Sequence, residues 1–210
     1  MADNPLREKD SIILAKKIRE ILAQRDKKDI VPCDALLSPA AVLLPLYIKQ
    51  GEYHILLTKR TQKVEHHKGQ ISFPGGAHHE HDRGPVDTAL RETFEEIGVC
   101  PEDVEILGEL DTMVTLTSNF LVTPFVGIIP YPYELTVNED EIEELVEVPL
   151  SALADEKNHR EEVYIIEGIE VKAVMFDYQG HVIWGATARM LEQFLDLLFP
   201  TIRNVQSRQS

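Results

Sequence analysis

Two cysteines, Cys33 and Cys100, and a single tryptophan, Trp184, are all that 210 residues hold of either type. Two thiols without a paired metal-ligand spacing read as reduced thiols rather than a disulfide framework, with no catalytic role. Long apolar runs are missing too. AAVLLPLYI at 40–48 falls well short of the ~20 residues that cross a bilayer. The opening MADNPLREKD carries no apolar segment of a secretion signal, so the expectation is a soluble, cytoplasmic chain with no membrane partner. Positive charge is scarce: 21 Lys and Arg face 36 Asp and Glu, a net charge of −15, which disfavours nucleic-acid backbones and anionic lipid as partners. A small anion in a local basic pocket remains compatible with that balance. No internal repeat or low-complexity tract is present.

What is there is ordinary for a folded domain, 43% hydrophobic and 27% charged residues, enough chain for one core. We read residues 1–37 as a helical extension and linker, 38–200 as the main domain and 201–210 as a tail. Asp10 and Ser11 are candidate helix caps, and Leu14, Ile18, Ile21 and Leu22 then form an amphipathic stripe, which fits either covering the core or pairing two copies as a homodimer. AAVLLPLYI and YHILLTKR flank KQGE as a strand pair around a glycine turn. VEILGELDTMV, FLVTPFVGII, EEVYIIEG and EVKAVMFDY read as further strands. ATARMLEQFLDLLF repeats Met190, Leu191, Phe194, Leu197 and Leu198 at helical spacing. Mixed strands with helices between and after them predict an α+β fold, a mixed sheet covered by helices.

The chemistry gathers in FPGGAHHEHDRGPVDTALRETFEEIGVC, residues 73–100. Gly84 and Pro85 suit a helix start and Gly98 a left-handed helix end, which predicts a helix over Pro85–Ile97. Val86, Leu90, Thr93 and Ile97 share its packing face, and Glu92, Glu95 and Glu96 share another. Like charges at these spacings each disfavour the helix by ~0.2–0.5 kcal/mol, and acids in the last turn oppose its dipole. A solvated acidic face tolerates such costs; a divalent ion reverses their sign, and Mg²⁺ or Mn²⁺ prefers carboxylate oxygen and works on phosphate esters. Pro74, Gly75 and Gly76 predict a tight turn before the helix that aims the acids at a ligand.

Gly76, Arg91, Glu92, Glu95, Glu96 and Gly98 resemble the Nudix box, GX5EX7REUXEEXGU with U aliphatic. Asp82 stands where the early Glu is expected, one residue further from Arg91 than the pattern has it, and Thr93 replaces the aliphatic residue. Upstream, LLTKRTQKVEHHKGQISFPGG at 56–76 is similar to the signature of the coenzyme A pyrophosphatase branch, with Arg60, His67, Gly69, Phe73 and Pro74 matching in order. IWGATA at 183–188, PFVGII and NEDEIEELVEVPL resemble other segments of that branch.

The resemblance implies an α/β/α Nudix sandwich that hydrolyses the pyrophosphate of coenzyme A or its thioesters to 3′,5′-ADP and 4′-phosphopantetheine or its acyl derivative. It implies metal binding by Glu92, Glu95 and Glu96, with Glu141 of the NEDEIEEL run as the acid from outside the box. It sets Glu92, Glu95 and Arg91 in the catalytic group, Arg91 holding a glutamate by a bidentate pair. Arg60, His67, Gly69, Phe73, Gly75 and Gly76 are its substrate-side residues. Lys59 points away from Arg60 if the strand is regular. His78, His79 and His81 read as polar surface, and Trp184 as core beside the last helix. The competing functions are a Nudix hydrolase of ADP-ribose, a dinucleoside polyphosphate or a nucleoside triphosphate, and a non-catalytic nucleotide-binding domain.

Overall fold

The computed structural model describes residues 5–29, 37–63, 68–115, 118–166 and 169–199. Helix α1 (Pro5–Gln24) comes first, and Asp10 and Ser11 lie inside it rather than capping it. It opens on Pro5, whose fixed φ and missing N–H suit a first turn. The stripe lies on this chain's own core: Ile18 is fully buried, Leu22 nearly so, and Leu14 and Ile21 pack beside them. Covering the core is thus the role observed.

The strands run β1 (Ser38–Lys49), β2 (Glu52–Arg60), β3 (Ile71–Ser72), β4 (Gly75–Ala77), β5 (Glu105–Glu109), β6 (Met113–Val114), β7 (Phe120–Ile128) and β8 (Ile142–Pro149). They form one mixed sheet along the order β3-β2-β1-β7-β5, with β4 on β1, β6 on β7 and β8 on β2. Among the described residues only the β1–β7 pair of this sheet is parallel; β1 and β2 make the expected hairpin around Gln50 and Gly51. β8 was not anticipated, because its acids read as a charge run. It is an edge strand whose Ile142, Val146 and Val148 are buried while Glu143, Glu144 and Glu147 face outward, the charged edge that discourages further pairing.

Alternation along β1 divides the core in two. Ala41, Leu43 and Tyr47 face helix α2 (Pro85–Ile97), and Leu44 and Leu46 join the larger cluster under α1 and the last helix. Helices on both faces of a mixed sheet make an α/β/α sandwich. After the short α3 (Leu150–Ala154), strands β9 (His159–Ile166), β10 (Ile169–Tyr178) and β11 (His181–Ile183) form a second, antiparallel sheet before α4 (Gly185–Leu198). Trp184 corrects the core expectation. Ile183 points inward and is fully buried, so extended backbone turns Trp184 outward, 46% exposed. Among the described residues no helix is long and apolar enough to cross a membrane.

Candidate active site

α2 has the ends its sequence predicts: Pro85 opens it, and Gly98, at φ 76°, closes it by donating its N–H to Phe94 O. Ala89 and Ile97 are fully buried, while Leu90, expected on the packing face, is only partly covered. Thr93 fits where an aliphatic residue was expected because its hydroxyl donates to Ala89 O at 2.6 Å, leaving the methyl to pack. The three acids share one side of the helix yet differ in depth. The Glu95 side chain is 53% exposed, that of Glu92 15% and that of Glu96 3%.

The glycines act by close approach rather than by the predicted turn. Gly75 and Gly76 lie in β4 opposite Val42 and Ala41, and Leu43 N donates to Pro74 O. A Cβ on Gly75 would stand 2.4 Å from Ala41 O, and one on Gly76 2.6 Å from the Glu92 carboxylate. Glu92 therefore rests against bare backbone.

Arg91 holds the first half of the helix site. Its Nε donates to Asp82 Oδ1 at 2.9 Å and its Nη2 to Asp82 Oδ2 at 3.0 Å and to Ala77 O. Its Nη1 donates to Glu92 Oε1 at 2.8 Å and Glu95 Oε2 at 3.1 Å. The bidentate partner is thus Asp82, for which the sequence offered no role. These bonds engage all three nitrogens of the Arg91 guanidinium. Asp82 also accepts from Thr88 Oγ1 and His79 N, and His78 Nδ1 lies 2.9 Å from Thr88 Oγ1. The Arg91 fork, with the His79 amide and Thr88 hydroxyl behind it, keeps the Asp82 carboxyl far below the usual range against the opposing effect of desolvation. Burial raises Glu92 above its ordinary value, a rise Arg91 partly offsets.

The other half is looser. Arg60 ends β2 with Nη1 3.4 Å from Glu96 Oε1 and Nη2 3.8 Å from Glu141 Oε2. Its backbone is fixed between Gln70 O and the N–H of Gly69, a turn residue at φ 68°. Lys59 does point away, pairing with Glu143 and Glu144. Glu141 arrives because Thr136 N and Asn138 N bond the last α2 carbonyls, on Ile97 and Glu96, and Thr61 N bonds Glu141 O. Burial pushes Glu96 up to about 8; the Arg60 charge opposes that rise and the charges on Glu92 and Glu141 add to it. A groove of about 600 Å³, lined by Thr61, Gln62, Val137, Ile142 and Leu145 among others, borders the chain positions next to Arg60 and Glu141. Phe73, named as substrate-side, lies 2% exposed in the main core, and His67 falls outside the described residues.

Among the described residues no three His, Cys, Asp or Glu side chains are gathered closely enough to hold an ion. Two guanidinium groups stand among the acids instead. The donor set still fits a hard divalent cation: every acid offers oxygen, and Glu96 Oε2 is buried with no hydrogen-bond partner, which leaves it lone-pair capacity for a cation.

The family model of the NUDIX domain matches residues 37–167. The chain is 38% identical over 155 residues to the NudL Nudix hydrolase of Photorhabdus laumondii, covering 73% of this chain and 81% of that one. It is 38% identical over 164 residues to NudL of Pectobacterium atrosepticum, covering 73% and 79%. The crystal structure of a MutT/nudix family protein from Enterococcus faecalis superposes with a TM-score of 0.50 at 16% identity, over 94% of this chain and 81% of that one, a likeness of fold.

Proposed function

We propose, for a chain that belongs to the Nudix family and is therefore a pyrophosphohydrolase of nucleoside diphosphate derivatives, that the bond it breaks is the pyrophosphate of coenzyme A or its thioesters. The products are then 3′,5′-ADP and 4′-phosphopantetheine or its acyl derivative. One observation carries the reading. The two distant stretches that resemble the coenzyme A branch meet: Thr187 of IWGATA donates to Ile71 O, 3.1 Å away and buried, within the stretch that delivers Arg60 to the acids.

Hydrolases of this family generally need a divalent metal ion. Glu92, Glu95, Glu96 and Glu141 would hold Mg²⁺ or Mn²⁺, which when bound neutralises pyrophosphate charge and makes water more acidic. Arg91 orients Glu92 and Glu95 so that neither carboxylate must be ordered when substrate arrives. Arg60, with five donors and a fixed charge, binds phosphate oxygens. Water oxygen bonds to one phosphorus as the bridging P–O bond breaks, and the bridging oxygen departs on the other phosphate. Glu92, set against the bare backbone of Gly76 and held by Arg91, is the acid that takes the water proton.

Product analysis by chromatography and mass tests this with coenzyme A and ADP-ribose side by side, in Mg²⁺ or Mn²⁺, with Glu95→Gln as control. Metal-dependent release of 3′,5′-ADP and 4′-phosphopantetheine that Glu95→Gln abolishes is the expected result. Cleavage of ADP-ribose alone would replace the substrate and keep the chemistry, and cleavage of neither would favour a nucleotide-binding domain.

A further inference from the structure

We infer that Arg60 is a built-in counter-ion that holds the place of the divalent metal between Glu96 and Glu141, and that the metal binds by displacing it. This rests on reading those acids as metal ligands. Arg60 reaches both carboxylates at 3.4 and 3.8 Å, beyond the 2.7–3.2 Å of good N–H···O bonds, whereas Arg91 makes all of its bonds at 2.8–3.1 Å. The mismatch leaves atoms stranded on both sides: Arg60 Nε and Glu96 Oε2 are each buried without a partner. A half-buried pair that leaves an atom stranded on each side is a poor stabilising device. It does place one positive charge between the two carboxyl groups, where a divalent cation would otherwise sit.

The backbone supports the same division. Arg60 N and O are both hydrogen-bonded, to Gln70 and Gly69, so the residue is anchored while its guanidinium is held loosely. The register of β2 against β8 shifts between Lys59 and Arg60, at the end of the strand. A guanidinium and a divalent cation cannot share the gap between two carboxylates without strong like-charge repulsion, so metal entry expels the arginine head. The displaced head stays on its short tether beside the acids, where an anionic phosphate is bound. A phosphate-binding group thereby becomes available only once the metal is present, and the coupling is reciprocal.

Mn²⁺ binding to the full chain without substrate, followed by the electron paramagnetic resonance of free Mn²⁺, tests this directly. Arg60→Gln should bind Mn²⁺ about fivefold more tightly than the parent, the scale of a partly exposed ion pair. Arg60→Lys, which keeps the positive charge, should stay close to the parent. Equal or weaker binding by Arg60→Gln overturns the proposal. A measurement on the parent protein guards against misfolding of the variants: in ¹⁵N-arginine spectra the Nε–H resonance missing from Arg60→Lys should shift on adding Mg²⁺, and a resonance that stays put at saturating Mg²⁺ also overturns it. Neither measurement contains coenzyme A, so a failed substrate assignment would leave both results standing.

Discussion

Two arginines meet carboxylates along α2, and they do so in opposite ways. Arg91 grips Asp82 with two bonds near 3 Å, every oxygen of that aspartate has a donor, and the carboxyl is driven far below its usual range. Arg60 faces Glu96 at 3.4 Å, leaves one of its oxygens without a partner, and fails to stop burial from raising that carboxyl to about 8. Charge type and helix are the same in both places; completeness of hydrogen bonding is what differs. A saturated pair fixes structure, and an unsaturated one keeps binding capacity in reserve.

Replacing Glu96 should have the largest effect, and it falls on activity. Glu96→Gln keeps shape and removes charge, so metal-dependent hydrolysis should drop about 10²–10³-fold, ~2.7–4 kcal/mol of transition-state stabilisation. Stability by denaturant titration in EDTA at roughly pH 8.5 should hold or rise, since a carboxylate that burial disfavours has become a neutral amide. Activity within threefold of the parent would remove Glu96 from the metal set.

Asp82→Ala should show the reverse pattern. It strands the Arg91 fork beside Glu92 and leaves the Thr88 hydroxyl and the His79 amide without their acceptor, at a cost of about 2–3 kcal/mol in unfolding free energy. Its activity should fall mainly through misplaced glutamates, so Asp82→Glu should recover part of it. A loss below ~0.5 kcal/mol would mean that the Arg91 network does not anchor the helix.

Much of this contrast could not be read from residue types. The helix ends were legible because Pro85 and Gly98 act locally, and the shared side of Glu92, Glu95 and Glu96 follows from helical spacing alone. Their unequal burial was not, because it depends on β4 lying against Glu92 and on the 136–141 segment folding back over the last turn. Asp82 was passed over because one extra residue spoils a spacing rule, whereas in space the loop absorbs that residue and still brings the carboxylate to Arg91. β8 hid behind its own acids, since outward charges on an edge strand imitate a solvated run. Trp184 went astray because an aromatic residue before an apolar helix reads as core, when one residue of extended backbone decides the side it faces.

The smallest effect tests both arginines in one titration of metal-free stability against pH. Asp82 has a depressed carboxyl, so its stabilisation is complete above the ordinary aspartate range and is lost as pH falls below about 4. Glu96 has a raised one, so the folded state binds its proton more tightly than the unfolded chain does. That contribution is complete below the ordinary glutamate range and drains away as pH climbs toward about 8. In EDTA, denaturant titrations should therefore find about 1–2 kcal/mol less stability at roughly pH 8.5 than at roughly pH 6.5. Glu96→Gln should flatten that alkaline limb and Asp82→Asn the acid one, each leaving the other intact. If Glu96→Gln left the alkaline limb unchanged, Glu96 would already be fully paired in the metal-free protein, and the contrast between the two arginines would collapse.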